Sequence, residues 1–269
     1  MINDLWIIAA GKGTRMGNIT IPKCLVEIDG KSNLENTLDM ISHKFRRVFI
    51  VVANEMEELV RKTVIDSTNF QFVGIESGGG DGKAVLEAFE KVTSQTYSFD
   101  GSCKVTNNAV ILWGDAHLRS ADIIDEMFLK FQNSHSSPLI IPSVLEYRPY
   151  VAINTSHHEG DMIVAMSADF IKYGEVRDEG WHDQSIFGVE WPVVIEALTT
   201  MRRVSMKRDA DGNVKFTTQS GELTFLNIVH YLFNMHNPAY VYETKFPLMG
   251  YNTQTEIEKI KQSKQKETT

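Results

Sequence analysis

The chain has 269 residues, 42% hydrophobic and 23% charged, with 35 acidic against 27 basic side chains and a formal charge of −8. This fits one large globular α/β domain, and the acidic balance excludes a surface built for nucleic acid or an anionic membrane, since both need clustered positive charge. Cys24 and Cys103 form neither a disulfide framework nor a metal-ligand spacing; with no signal-peptide pattern and no segment near the roughly 20 apolar residues of a membrane span, a cytoplasmic protein with buried thiols is expected.

Strand and helix patterns alternate through the first half. Leu5–Ala9 reads as a strand and Asn33–Lys44 as a helix with apolar positions at 34, 38 and 41. Val48–Ala53 is a continuous Val/Ile strand of the kind covered on both faces, and Asn54 is expected to cap a helix over Glu55–Val64. Phe70–Ile75 is a strand, then Ser77–Gly82 is a glycine-rich loop, and a helix runs from Lys83 to about Val92. Ala109–Trp113 is a further buried strand and Ser120–Phe131 a capped helix. Such repeats give a doubly wound, mostly parallel sheet, with ligands at the carboxyl ends of its strands.

From Pro138 the pattern changes to shorter strands, at Leu139–Leu145, Tyr150–Asn154, Met162–Met166 and Ser185–Glu190. A helix follows from Pro192 to Met201, then an exposed loop or hairpin over Lys207–Ser220, a helix over Leu223–Phe233 and a strand over Ala239–Glu243. Thr253 caps a last helix containing Ile257 and Ile260, and the polar tail from Lys261 is expected to fray. The expected organisation is a single domain over 1–261, with a first half at 1–135, a mixed second half at 136–250 and a frayed tail at 262–269.

The first strand feeds a loop with glycines at 11, 13 and 17 and three cations, Lys12, Arg15 and Lys23. Glycines let backbone N–H groups close on an anion, and successive N–H groups form a concave trap for phosphate. The spacing is neither a Walker loop, which needs a glycine five residues before its Gly-Lys pair, nor G-x-G-x-x-G, since Gly17 falls one residue late. An ordinary strand-to-helix turn is the alternative. Asp115 in Leu112-Trp113-Gly114-Asp115-Ala116 stands just past a buried strand, poised to hold a hard cation or to cap the next helix.

Ala9-Ala10-Gly11-x-Gly13-Thr14-Arg15-Met16, followed by Pro22-Lys23 and Leu25-Val26, resembles the signature of the nucleotidyltransferases that make activated sugars and activated alcohols. The resemblance implies a Rossmann-like sheet of the GT-A type and transfer of a nucleotidyl group to a phosphorylated acceptor with release of pyrophosphate. It implies that Ala10, Gly11, Gly13, Thr14 and Arg15 hold the triphosphate and that Arg15 and Lys23 are catalytic. It also implies Mg²⁺ at Asp115 and, in the closing segment Gly250-Tyr251-Asn252-Thr253-x-x-Glu256, at Asn252; Thr253 and Glu256 form a capping box as well.

Gly80-Asp81-Gly82 resembles the family's base-reading loop, where users of UTP or dTTP tend to have Gly-Thr-Gly. Asp81 can accept a bond from an exocyclic amine, which favours CTP over UTP; capping of the next helix is its other reading. The acceptor side departs from the sugar-phosphate members, with Pro149-Tyr150-Val151-Ala152 for Gly-Tyr-Gly-Arg and Ile186-Phe187-Gly188 for Asn-x-Gly. Asp183, Glu190 and Trp191, with Tyr147, Tyr150 and Trp181, offer carboxylates and aromatic faces for a substituted ammonium group, or for core packing. Arg148 and Lys172 are candidates for the acceptor phosphate.

The resulting expectation is a Mg²⁺-dependent nucleotidyltransferase, CTP favoured, making a nucleoside-diphosphate-linked metabolite for surface polysaccharide. Its partners would be a nucleoside triphosphate and a phosphorylated small molecule, with no nucleic acid or membrane, and a homo-oligomer is compatible with it. A uridylyl- or guanylyltransferase acting on a sugar 1-phosphate is one alternative, and a non-catalytic nucleotide-sensing regulator is the other.

Overall fold

The computed structural model describes residues 4–11, 21–64, 68–95, 105–133, 137–147, 149–170, 179–208, 214–216, 221–251 and 254–267. Among these, ten strands form one mixed sheet: β1 (Asp4–Ile8), β2 (Arg47–Ala53), β3 (Phe70–Ile75), β4 (Asn108–Trp113), β5 (Leu139–Tyr147), β6 (Val151–Glu159), β7 (Met162–Phe170), β8 (Glu179–Asp183), β9 (Ile186–Glu190) and β10 (Ala239–Glu243). Their order is β8-β6-β7-β10-β5-β9-β4-β1-β2-β3. The helices are α1 (Asn33–Ile41), α2 (Glu57–Thr63), α3 (Asp81–Gln95), α4 (Asp122–Asn133), α5 (Trp191–Ser205), α6 (Ile228–Asn234) and α7 (Gln254–Glu267).

Strands β4, β1, β2 and β3 are parallel, as the βα repeats require. Alternate residues of β2 feed opposite faces: Val48, Ile50 and Val52 join a cluster with α1, α2 and α4, while Phe49 and Val51 join one with α3, α5 and α6. Burial on both sides explains why this strand reads as an unbroken Val/Ile run rather than an alternating one. The doubly wound arrangement is thus the one expected.

The second half is mixed. β9 runs antiparallel to both β4 and β5, β10 runs parallel to β5, and β6 and β7 form an antiparallel hairpin beyond it. β8 also pairs with the outer part of β5, and Trp181 meets Ile153 of β6, which closes β5, β10, β7, β6 and β8 into a ring. The sequence pattern shortens β5, β6 and β7 and misses β8, because the polar run 154–159 and the mixed segment 179–183, only partly buried, interrupt the apolar pattern.

Local details differ from expectation in places. Asn54 is not a side-chain cap: residues Asn54–Met56 form a 3-10 turn, α2 starts at Glu57, and the Asn54 amide lies against Gly74 of β3. A capping box forms at Ser32, whose side chain accepts from Glu35 N while the Glu35 carboxylate takes the Ser32 N–H, the pattern Ser-x-x-Glu. The last helix runs on past Lys261. α7 continues to Glu267, since Lys, Gln and Glu are good helix formers and Ile257 and Ile260 anchor its first turns against Val26, Ile28 and Tyr251.

Candidate active site

The carboxyl ends of β1, β3 and β4 and the amino end of antiparallel β9 share one edge of the sheet. Trp113 N–H, at the end of β4, donates to the Ser185 carbonyl just before β9. At this edge β1 passes into buried Ala10 and exposed Gly11, the first two residues expected to bind the triphosphate. Gly13, Thr14 and Arg15 lie outside the described residues, as do Asn252, Arg148 and Lys172.

Lys23 and Asp115, 92 residues apart, meet here. Lys23 Nζ donates to Asp115 Oδ2 at 2.9 Å, with the lysine side chain 12% exposed and the aspartate 31%. Lys23 opens a short 3-10 turn directly after Pro22, which has no N–H to leave unsatisfied there. Asp115 follows Gly114, whose N–H donates to the Ile8 carbonyl at 2.9 Å. A Cβ at position 114 would stand 2.8 Å from that of Ala9 and 3.3 Å from that of Cys24. Glycine there lets the Asp115 turn close onto both β1 and the Lys23 turn. Burial pushes the Cys24 thiol up to about 12, so this neighbour stays an inert thiol.

The closing segment reaches the same place. Met249–Gly250 pairs with Ala116–His117, the Tyr251 N–H donates to the Asp115 carbonyl at 3.3 Å, and the buried Tyr251 hydroxyl donates to the Lys23 carbonyl at 2.7 Å. The chain position immediately before Asn252 is therefore tied to both the Lys23 and the Asp115 turns. Among the described residues no three His, Cys, Asp or Glu side chains gather into a metal cage. A single, part-exposed carboxylate suits Mg²⁺, which is commonly held by one or two carboxylates and completes its shell with substrate phosphates and water.

The glycine-rich loop before α3 is clamped to a second segment. Gly82 N–H donates to the Leu223 carbonyl and Leu223 N–H to the Gly79 carbonyl, both at 2.9 Å. Gly80 has φ +98° and a Cβ there would stand 2.3 Å from the Leu223 oxygen, so only glycine fits. Asp81 Oδ1 accepts from Gly82 N at 2.9 Å and from Phe225 N at 2.8 Å. The carboxylate expected to read the base is thus also the tether of residues 223–225.

Burial pushes the half-buried Asp81 carboxyl up to about 6, against those two N–H donors, and the nearby charge of Asp183 adds to the rise. Burial also raises Asp183, opposed by His182 and by the Ser185 N–H at 2.8 Å, with Asp115 adding repulsion. Asp183 therefore lies within electrostatic reach of both Asp81 and Asp115. A raised carboxyl means that the folded chain keeps a proton which the unfolded chain has lost, so Asp81 lowers stability as pH rises from about 3.8 to about 6 and by a constant amount above. Asp81→Asn keeps an acceptor for both N–H groups. It is expected to raise the unfolding free energy at pH 7.5 by on the order of 2–3 kcal/mol, with a smaller gain at pH 5. Urea unfolding of both proteins at the two pH values checks this; an equal gain at both contradicts it.

Two acceptor candidates are corrected. β9 runs antiparallel, so Glu190 pairs with Asn108 at the amino end of β4 while Ile186 pairs with Leu112 near Asp115. Glu190 and Trp191 therefore lie at the opposite edge of the sheet. Trp191 is 1% exposed and packs its ring 5.0 Å from both Trp6 and Phe89, as core. Tyr150 is 57% exposed, at the turn between β5 and β6.

The MobA-like NTP transferase domain family matches residues 5–171 of the chain. The bifunctional protein GlmU of Buchnera aphidicola subsp. Schizaphis graminum is 31% identical over 134 residues, 49% of this chain and 26% of that protein. A 2-C-methyl-D-erythritol 4-phosphate cytidylyltransferase of Corynebacterium jeikeium is 35% identical over 82 residues, 28% of this chain and 30% of that protein. The chain thus spans only about a quarter to a third of the length of these curated relatives. A UDP-glucose pyrophosphorylase in complex with UDP-glucose shares the fold with a TM-score of 0.72 at 15% identity, over 99% of this chain and 100% of the other. HddC from Yersinia pseudotuberculosis follows with a TM-score of 0.65 at 15% identity, over 97% and 99%. With the glycine loop on β1, the Lys23–Asp115 pair at the carboxyl edge and a family match over well more than half its length, the chain belongs to the MobA-like NTP transferase family.

Proposed function

We propose that this protein transfers a nucleotidyl group from a nucleoside triphosphate to a phosphorylated small-molecule acceptor, releasing pyrophosphate. The observation that carries the reading is the Lys23–Asp115 pair, a cation and a hard oxygen donor set side by side where β1 delivers the glycine loop. An acceptor phosphate oxygen attacks the α-phosphorus in line, the bond to the β-phosphate bridging oxygen breaks, and that oxygen leaves on pyrophosphate. No protein nucleophile is needed; catalysis is positioning and stabilisation of developing negative charge. Lys23 holds the α-phosphate against the acceptor, while Arg15 and the loop of Ala10, Gly11, Gly13 and Thr14 hold the departing pyrophosphate. Asp115, with Asn252, would hold Mg²⁺, which neutralises phosphate charge when bound.

CTP is the favoured donor. Supporting it are Asp81 beside the loop of Gly80, as an acceptor for an exocyclic amine, and the cytidylyltransferase among the relatives. Arg148, Tyr150 and Lys172 are the acceptor-side candidates that remain, and the product would serve surface polysaccharide. Nucleoside triphosphates are cytoplasmic, so the reaction would run there; no described helix is long and apolar enough to cross a membrane. A uridylyl or guanylyl transfer to a sugar 1-phosphate is the second reading, favoured by the two backbone N–H groups that already occupy Asp81 Oδ1.

Pyrophosphate release with each of the four triphosphates, with and without Mg²⁺, against a panel of phosphorylated sugars and alcohols tests these readings. Release with CTP and a phospho-alcohol supports the first, and release with UTP or GTP and a sugar phosphate the second. Tight nucleotide binding with no release under any condition would instead mark a sensor.

A further inference from the structure

We propose that Asn33 is a positioning residue for the reaction, fixing the Asp115 carboxylate through the backbone on either side of it. Asn33 is 1% exposed, and its amide Nδ2 donates to the carbonyl of Gly114 at 3.2 Å and to that of Ala116 at 2.9 Å. Its Oδ1 lies 2.8 Å from His117 Nδ1, so the amide orientation is set by the network and the imidazole proton sits on Nδ1. The Asp115 carbonyl between them takes the Tyr251 N–H. Three successive carbonyls, 114 to 116, are thus each held by a donor from another part of the chain.

The delivery of Asn33 is equally specific. It is the first residue of α1, the Ser32–Glu35 capping box fixes that turn, and its own N–H donates to the Val26 carbonyl at 2.9 Å. Burying an amide is unfavourable unless its donors and acceptor are partnered, and Leu34 and Leu38 show that this end of α1 otherwise packs with apolar side chains. An asparagine here spends both of its amide N–H donors on the carbonyls that flank Asp115. Groups that orient a ligating carboxylate typically contribute 10–100-fold in metal affinity or activity.

The assignment rests on Asp115 as the metal-holding carboxylate, and the test separates the two. Mn²⁺ binding is followed by the electron paramagnetic resonance signal of the free ion, with the triphosphate that the wild type turns over, in wild type, Asn33→Ala, Asn33→Thr and Asp115→Asn. Asn33→Ala is expected to weaken Mn²⁺ binding and lower kcat by roughly 10-fold or more, with the acceptor KM within about twofold. Asn33→Thr, which keeps one hydroxyl donor, is expected to fall between, and it carries the test alone if the alanine variant does not fold. A purely structural role would lower the melting temperature and the active fraction while leaving Mn²⁺ affinity and kcat per folded molecule unchanged, which overturns the proposal. If Asp115→Asn weakens Mn²⁺ binding and the Asn33 variants do not, only the Asn33 assignment falls; if Asp115→Asn has no effect, the Asp115 reading falls and this one with it.

Discussion

Lys23→Ala is expected to lower turnover at least about 10²–10³-fold, the usual cost of removing one preorganised group that stabilises developing charge. The side chain is held rather than floating: its Nζ is 2.9 Å from Asp115 Oδ2, its carbonyl accepts the Tyr251 hydroxyl, and only 12% of it is exposed. In the proposed reaction that restraint would let a single ammonium act without reorganising as the α-phosphate gains charge. The fold should survive, because the backbone bond to Tyr251 does not involve the side chain and Asp115, a third exposed, regains water. The melting temperature, kcat and triphosphate KM measured together check this. Near-normal kcat in a folded variant would remove Lys23 from the reaction.

Asp115→Asn is expected to lower turnover by a similar or larger factor and to shift the Mg²⁺ response to higher concentration. The neutral amide loses the charge that a hard divalent ion prefers, while its oxygen still accepts from Lys23. Because the two side chains are in direct contact, their effects should not add: Lys23→Ala combined with Asp115→Asn should cost clearly less than the product of the single losses. A Mg²⁺ titration of turnover for the four proteins measures both the shift and the coupling. Strict additivity, or an unchanged Mg²⁺ midpoint in Asp115→Asn, would mean that the two residues serve separate purposes.

The sequence by itself determined the parallel half of the molecule and the ends of its strands. Leu5–Ile8, Val48–Ala53 and Ala109–Trp113 are apolar throughout because helices cover both faces of the sheet, and a loop after a parallel strand must open at the shared carboxyl edge. The sequence shows Gly80 and Gly114 beside the expected site residues, but what each admits, Leu223 and Ala9, is set by the tertiary structure. Tertiary structure alone decided the direction of β9. Buried on both faces, β9 carries the same unbroken apolar pattern as the parallel strands of the first half, so nothing near Glu190 and Trp191 says that pairing with β4 takes them to the far edge. It also decided that Asp81 tethers residues 223–225 and that Asn33 grips the turn around Asp115, because a buried polar group reveals its partner only when segments 81 to 144 residues apart come together.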